Sequence, residues 1–271
     1  ELNLDQVSAI ARGISEESVQ GASGEPFRLE MFVHGALCMA ISGKCYLSLH
    51  AHHHSANRGD CYQVCRRGYR VTDMDREVEL DIENEHIMSP KDLKTIHFLN
   101  KIVDAGVSVL KIEGRARSAE YVKTVTSCYN EAIHAIIDGT FDRDKIKRWD
   151  QRLAMVFNRG FWDGYYLGQR LGEWSEKYGS KATHRKVYVG KGSNYFDRIG
   201  VVEVIMETGS LEIGDQVVII GPTTGVIEAT IRELRVDEEN RQSASKGERC
   251  SFQVDQLVRR SDKVYKLVPR S

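Results

Sequence analysis

Apolar positions in the first quarter of the chain predict a helix, then a strand, then a long loop. Apolar residues recur at helical spacing within residues 3–20, which predicts an amphipathic helix. After a turn rich in glycine, residues 27–37 alternate loosely and predict a buried strand that ends in a bend. Residues 42–70 show little periodicity, and a loop of this length usually serves a function and needs something to organise it.

Strand and helix signals continue after that loop. Residues 77–84 predict a strand, and Ser89 with Pro90 match an N-cap and a first helical position, so a helix is predicted from there to about Gly106. Residues 107–115 combine an apolar strand with a charged end. This order is typical of the β/α units of a parallel sheet. In such folds the C-terminal ends of the strands carry the active site.

The rest of the chain changes from helical to strand periodicity. Residues 118–137 predict a helix with one apolar side, and residues 157–179, rich in glycine and aromatic residues, predict an irregular connector. From about His184 the apolar period becomes two, which predicts a small antiparallel β-barrel. The predicted parts are an α/β domain over residues 1–118, a helical connector over residues 119–180 and an all-β domain over residues 181–271.

Composition limits the classes of function. The 271 residues include 38 basic and 39 acidic side chains, so the surface as a whole does not attract polyanions. A nucleic-acid contact must therefore come from a local basic patch. No apolar run reaches the roughly 18 residues that span a bilayer, and no secretory signal is visible. The sequence predicts a cytoplasmic protein without a membrane segment.

Four of the six cysteines lie close together, at Cys38, Cys45, Cys61 and Cys65, with the spacing C-x6-C-x15-C-x3-C. Thiolates are soft ligands that select zinc, copper(I) or iron–sulfur clusters. The spacing matches neither the paired C-x2-C of zinc ribbons nor the C-x2-C-x2-C run of ferredoxins, so zinc and an iron–sulfur cluster both stay open. Free structural thiols and disulfides stay open as well, although disulfides suit shorter secreted domains.

Histidines between the second and third cysteines are a weaker signal. His50, His52, His53 and His54 form a run that is typical of a metal site or of a solvated loop. Peptidase chemistry has little support, because neither G-x-S-x-G nor H-E-x-x-H occurs. Cys38 with His34 offers a nucleophile and a base, but no third group that would orient them is identified.

Lys111, Glu113 and Arg115 alternate at the end of a predicted strand, so we expect all three side chains on one side. Two cations beside a carboxylate form an ion-paired strand end or a clamp for an anion. Arginine favours the clamp, because its guanidinium binds carboxylate or phosphate with two parallel hydrogen bonds.

Four segments resemble the collagenase-like peptidase family, the U-thirty-two group: residues 30–48, 57–66, 88–93 and 110–115. Within that family the chain looks most like the branch that helps hydroxylate the wobble uridine of tRNA. The resemblance implies the C-terminal part of a (β/α) barrel, a helical connector and a small antiparallel β-barrel like those of translation factors. Other relatives act in ribosomal RNA hydroxylation or ubiquinone synthesis, and early names called the family proteases.

The resemblance also implies chemistry for the candidate residues. It favours a [4Fe–4S] cluster bound by the four cysteines over zinc, and it implies an oxygen-independent RNA hydroxylation that uses prephenate. Because prephenate is a dicarboxylate, Lys111 and Arg115 would bind it, and Glu113 would orient them or handle protons. Exposed basic residues of the β-barrel would position tRNA, and the predicted ones are Arg185, Lys186, Lys191 and Arg198.

The chain departs from the family pattern in two ways. Relatives often have cysteine where this chain has Lys94, so Cys65 must be the fourth ligand here, or the fragment has no complete cluster. A (β/α)8 barrel needs about 250 residues, so we expect a C-terminal fragment whose missing N-terminal barrel half is a partner. A collagenase-like peptidase and a non-catalytic RNA-binding module are the alternative functions.

Overall fold

The computed structural model describes residues 2–38, 40, 44–70, 72–73, 78–79, 88–115, 117–169, 173–176 and 179–270. The chain divides into two compact units. The first comprises residues 1–116 and 124–181, and the second comprises residues 117–123 and 182–271. Residues 124–181, predicted as part of a separate connector, therefore group with the first unit. Among the described residues, no helix is both long enough and apolar enough to cross a membrane.

Among the described residues before residue 182, the structure has five helices and three short 3-10 turns. The helix predicted at the start of the chain is confirmed, and Asn3 caps it by accepting a hydrogen bond from the Gln6 amide at 2.9 Å. The helix predicted over residues 118–137 is also confirmed. The helices are α1 (Leu4–Glu16), α2 (Leu47–His52), α3 (Leu99–Asp104), α4 (Ala119–Ile137) and α5 (Arg143–Met155), and the 3-10 turns are Ala56–Arg58, Val64–Arg66 and Ile96–Phe98.

A four-stranded mixed sheet forms the centre of this unit, in the order β5-β1-β4-β6. Strands β1 and β5 are parallel, as predicted, whereas β4 runs antiparallel to β1 and parallel to β6. Of the strand predicted over residues 77–84, only Val78–Glu79 is described, and the rest lies outside the described residues. The strands of the unit are β1 (Leu29–Gly35), β2 (Thr72–Asp73), β3 (Val78–Glu79), β4 (Asp92–Lys94), β5 (Val107–Ile112) and β6 (Phe161–Trp162).

The helix predicted to begin at Ser89 is wrong. Residues 92–94 form β4 instead, and helix α3 begins only at Leu99. The Asp92 amide donates to the carbonyl of Gly160 at 2.9 Å, so this segment pairs with β6 instead of forming the first turn of a helix. Ser89 and Pro90 are buried, and both accept hydrogen bonds from Arg66.

The second unit is an antiparallel β structure. An eight-stranded sheet has the order β11-β10-β16-β7-β8-β15-β12-β13, and β9 pairs with β14. Val202, Val204 and Ile219 are fully buried in its core, together with Cys250, as predicted. The strands are β7 (His184–Phe196), β8 (Val201–Met206), β9 (Ser210–Glu212), β10 (Gln216–Gly221), β11 (Gly225–Thr230), β12 (Arg235–Val236), β13 (Glu239–Asn240), β14 (Ser243–Ser245), β15 (Arg249–Gln253) and β16 (Lys263–Pro269).

Strand β7 connects the two halves of this sheet. Its first part pairs with β16 and its second part with β8, and the change of partner falls at residues 190–192. Gly190 faces the backbone of β8 so closely that a Cβ atom there would collide with the carbonyl oxygen of Ile205. The absence of a side chain at this position is therefore what allows the two strands to approach.

We expect Gly190→Ala to destabilise the second unit by about 1–3 kcal/mol, because the added methyl group must displace backbone rather than a flexible side chain. Urea unfolding followed by circular dichroism measures the change. Gly13→Ala is the matched control: a Cβ atom at Gly13 in α1 meets nothing within 4 Å, so this variant should be neutral or stabilised. Equal stability of both variants would contradict the packing argument.

Candidate functional site

The ends of β1 and β5 lie side by side at one edge of the first sheet. His34 pairs with Ile112, and the Glu113 amide donates to the carbonyl of His34 at 2.8 Å. The loop that carries the four cysteines begins directly after β1, and Glu113 with Arg115 follows β5. Because parallel strands end at the same edge, the start of the cysteine loop lies next to the turn after β5.

Gly35 permits this close approach. Its φ of 118° lies in the region that favours glycine, and a Cβ atom there would lie 2.6 Å from the carbonyl oxygen of Glu113. A larger residue would push the turn after β5 away from the start of the cysteine loop.

The four loop cysteines are free, and Cys38 and Cys61 are exposed. Burial raises the pKa of the Cys65 thiol, Arg66 lowers it, and the charges of Cys38, Cys61 and Cys45 raise it further. Among the described residues, however, no group of three or more His, Cys, Asp or Glu side chains is arranged to hold a metal ion.

The other two cysteines are core residues, as predicted. Cys128 in α4 is fully buried, and burial raises the pKa of its thiol to about 11. Burial likewise raises the pKa of Cys250 to about 12. Both side chains therefore stay protonated near neutral pH, and they lie outside the cysteine loop.

Arg66 ties the two ends of the cysteine loop together. Its guanidinium is buried and donates to the Leu37 carbonyl at 2.6 Å, to the Pro90 carbonyl at 2.7 Å and to the Ser89 hydroxyl at 3.0 Å. Leu37 precedes Cys38, and Arg66 follows Cys65. One side chain thus places the first and last cysteines near each other. Arg66 was not predicted from the sequence, where its only signal is its position after a cysteine.

A second arginine holds the same part of the loop from another side. Arg159 pairs with the buried carboxylate of Asp92 in β4 at 3.3 Å, and it donates to the side-chain oxygen of Gln63 at 3.2 Å. Gln63 lies between Cys61 and Cys65, with a φ of 52°. Arg159 was also missed, because it lies far along the chain, in a segment predicted as connector.

The histidines of residues 50–54 lie at the end of helix α2 and just after it. His52 and His54 place their rings 5.4 and 5.0 Å from the ring of Tyr62, and His54 lies 3.5 Å from a carboxylate oxygen of Asp60. His53 ends helix α2 with a left-handed conformation. These contacts are those of an ordered loop that packs on a tyrosine.

Lys94, where the family resemblance leads us to expect cysteine, contacts helix α5. Its ammonium group lies 2.6 Å from a carboxylate oxygen of Asp150 and 5.1 Å from the ring centre of Phe161. Only 16% of the side chain is exposed. Lys94 is therefore a structural cation in this chain.

The prediction that Lys111, Glu113 and Arg115 alternate along one strand is wrong, because β5 ends at Ile112. Lys111 lies 2.8 Å from Glu30 and over the ring of Phe32, as expected for an ion-paired strand end. Glu113 accepts a hydrogen bond from the Arg115 amide at 2.6 Å, so it stabilises its own turn. The Arg115 side chain is exposed.

The basic residues predicted to bind RNA do not share one face. Arg185 and Lys186 are neighbours on β7, so their side chains point to opposite sides. Lys186 pairs with Glu120 at 2.6 Å, and Lys191 pairs with Glu207 at 2.7 Å. Arg198 is exposed in the turn after β7.

Cys38 and His34, considered from the sequence as a peptidase nucleophile and its base, do not form such a pair among the described residues. His34 is buried, with its Nδ1 atom 3.3 Å from the hydroxyl of Tyr129 and its ring against Phe161. The sulfur of Cys38 accepts a hydrogen bond from the Ala40 amide at 3.3 Å. Within the described part of the chain, these two side chains therefore serve separate contacts.

Comparison with known proteins agrees with the resemblance. The family model described as Peptidase family U32 matches residues 1–176, which include the cysteine loop and the sheet edge. The chain belongs to peptidase family U32. This U32 chain is 61% identical to a protein of Porphyromonas gingivalis named collagenase, over 100% of the chain and 65% of that relative.

More distant relatives carry names from RNA modification. A tRNA hydroxylation protein of Bacillus subtilis is 33% identical, over 80% of the U32 chain and 52% of the relative. A 23S rRNA 5-hydroxycytidine synthase of Escherichia coli is 37% identical, over 64% of the chain and 25% of the relative. The chain thus spans between a quarter and two thirds of the length of these three relatives.

We expect Arg66→Ala to loosen the cysteine loop while the second unit stays folded. Three acceptors lose their donor, and each buried one left unpaired costs about 1–3 kcal/mol. Labelling of Cys65 by a thiol reagent should become at least about tenfold faster, since about 1.4 kcal/mol of easier opening is tenfold in population.

Arg67→Ala is the matched control for this variant. The neighbouring Arg67 is exposed, and its guanidinium contacts the ring of His52 at 3.4 Å. Its removal should leave the labelling rate within about twofold of the original, because surface substitutions rarely cost more than about 0.5 kcal/mol. Similar rates in the two variants would show that Arg66 does not hold the loop.

Proposed function

We propose that the protein acts in oxygen-independent hydroxylation of the wobble uridine of tRNA, with a [4Fe–4S] cluster held by Cys38, Cys45, Cys61 and Cys65. The observation that carries the proposal is that four free cysteines lie on one loop after β1, and that Arg66, directly after Cys65, donates a hydrogen bond to the residue directly before Cys38. Four thiolates are the usual ligand set of such a cluster. Relatives named for tRNA and rRNA hydroxylation support the reaction class.

The choice of a cluster over a single zinc ion rests on the family resemblance, because the spacing of the four cysteines fits neither a zinc ribbon nor a ferredoxin motif.

The surrounding residues have defined tasks in this proposal. When bound, the cluster would supply electron transfer or a Lewis-acidic iron. Arg66 and Arg159 keep the cysteine segments in place through the contacts described above. Arg115, exposed beside the loop, would bind a carboxylate of prephenate or of another small dicarboxylate. Lys111 would bind the same ligand after breaking its ion pair with Glu30, in which both side chains are about half exposed.

Peptidase activity is the second candidate function, because the relative with 61% identity is named collagenase. A thiol peptidase needs a base within hydrogen-bond reach of its nucleophile. His34 is committed to the core of the first unit, so the described geometry gives Cys38 no such base. The hydroxylation proposal accounts for all four cysteines, whereas a peptidase would need only one of them.

We expect Cys38→Ser and Cys65→Ser each to abolish cluster binding and RNA hydroxylation together. The full-length protein is purified without oxygen and assayed for iron, sulfide and visible absorbance. In parallel, each variant replaces the natural gene, and mass spectrometry of tRNA nucleosides measures hydroxylated wobble uridine. Both signals should fall to the level of a gene deletion, because the loss of one ligand leaves an incomplete cysteine set.

Three controls separate the possible outcomes. Cys128→Ala removes a core thiol outside the loop, and Lys94→Met removes the cation that stands in place of a cysteine; both should keep their iron. Gelatin cleavage is assayed with the same preparations. A colourless protein that contains zinc would contradict the proposed cluster. An unchanged level of hydroxylated wobble uridine in the deletion strain would contradict the proposed reaction. Gelatin cleavage that disappears in Cys38→Ser would establish the peptidase instead.

We expect Arg115→Ala to raise the apparent KM for prephenate by about tenfold, because a charge-assisted hydrogen bond contributes about 1.5–3 kcal/mol. Stability should not change, since the side chain is exposed and makes no ion pair within the described residues. Arg12→Ala, an exposed arginine of α1, is the control. An unchanged KM would remove Arg115 from the substrate site while leaving the cluster proposal intact.

A further inference from the structure

The second unit contains a cleft of about 690 Å³, and of the four basic residues predicted to bind RNA only Lys191 lines it. Its walls are β7, β8, β15 and the loop that precedes β16. The volume lies in the range of specific ligand sites, and it greatly exceeds the space that one phosphate group fills. We call it the basic cleft, and the residues that define it are Lys191, Glu203, Arg249, Leu257, Arg259 and Arg260.

The basic cleft carries a net positive charge, in a chain whose net charge is −1. Four cationic side chains line it against the single carboxylate of Glu203, although Lys191 also pairs with Glu207 at 2.7 Å. Arg249 is 62% exposed and lies 3.3 Å from Glu203. The guanidinium of Arg260 has no ion-pair partner within the part of the chain that the structure describes. Arg260 is therefore open to an anionic ligand, and the exposed Arg249 can bind one beside its contact with Glu203.

The loop that carries Arg259 and Arg260 is held in place. Gly192 of β7 exchanges two backbone hydrogen bonds with it, donating to Asp262 at 2.9 Å and accepting from Ser261 at 2.8 Å. The buried carboxylate of Asp262 accepts from the Arg259 amide at 2.8 Å. A Cβ atom at Gly192 would lie 3.0 Å from the Arg259 carbonyl, so glycine allows the loop to lie on the strand. The backbone that carries both arginines is thus fixed before a ligand binds, which lowers the entropy cost of binding.

We propose that the basic cleft binds the phosphate backbone of a single-stranded RNA segment. Arginine forks bind phosphate oxygens with two parallel hydrogen bonds, and several such forks along one cleft fit a chain of phosphates. Leu257, 46% exposed, and the partly buried Tyr195 add apolar surface for a base or ribose. The inference rests on the proposed function, since an RNA-hydroxylation protein must hold its substrate while the chemistry proceeds at the cysteine loop.

The test is the binding of a fluorescent anticodon-arm RNA to the full-length protein over a range of salt concentrations. The double variant Arg249→Gln/Arg260→Gln should bind about tenfold more weakly, and the slope of log affinity against log salt should fall by about 1.4. Glu203→Gln should bind a few-fold more tightly, because it removes the one carboxylate of the cleft and keeps an acceptor for Ser193. A gain of affinity cannot come from misfolding.

Arg232→Gln/Arg235→Gln is the matched control, with the same charge change on two exposed arginines of the same unit outside the cleft. It should change affinity by less than about twofold, as expected for charges that make no phosphate contact. Equal losses in the two double variants, or no loss in the cleft variant, would overturn the inference. Displacement of the RNA by low concentrations of inorganic phosphate or a nucleoside diphosphate would assign the cleft to a small ligand and would also overturn it.

The outcome is separable from that of the proposed function. Cys38→Ser should still bind the RNA with unchanged affinity, because the cleft and the cysteine loop use different residues. If tRNA of the deletion strain is normal but the cleft variant loses RNA binding, the hydroxylation proposal fails and the cleft inference holds. If hydroxylation is confirmed and the cleft variant binds and modifies tRNA normally, only the cleft inference fails.

Discussion

The buried guanidinium of Arg66 is the constraint on which the candidate site depends. It joins the carbonyl of Leu37, at the start of the cysteine loop, to Ser89 and Pro90, which lead into β4. A buried charge is costly unless its donors are paired, and here three backbone and side-chain oxygens serve that purpose. Closing a loop between residues 37 and 66 also loses chain entropy, which these hydrogen bonds offset. This closure brings together the residues that adjoin Cys38 and Cys65.

The same closure explains why β4 is a strand. Ser89 and Pro90 have the composition of a helix start, yet their oxygens are the acceptors of Arg66 and their chain continues into pairing with β1 and β6. Asp92 then fixes Arg159, which reaches back to Gln63 in the loop. Lys94 points to Asp150 and not to the sulfur atoms. A local helix signal thus yields to several long-range contacts, some of which hold the cysteine loop.

Periodicity predicted the elements that bury one continuous face. Helices α1 and α4 and the strands of the second unit follow their apolar patterns, because burial of that face determines their formation. The four cysteines were also recognisable from the sequence as candidate ligands, since their close spacing is visible there. Arg66 and Arg159 were not, because a buried arginine is recognised only from the oxygens around it. The end of β5 at Ile112 was missed for a related reason: alternating charges look like a strand until a carboxylate caps the turn.

The two units use their cations differently, and this difference bears on function. In the first unit Arg66, Arg159 and Lys94 are bonded internally, so they shape the site and have little capacity left for a large anionic ligand. In the second unit Arg249 is 62% exposed in its contact with Glu203, and Arg259 and Arg260 lie on a loop that two backbone hydrogen bonds hold against Gly192. Cations that are already bonded stabilise a fold, whereas open cations on a fixed support are suited to recognition. This difference is the physical basis on which we propose chemistry in the first unit and RNA binding in the second.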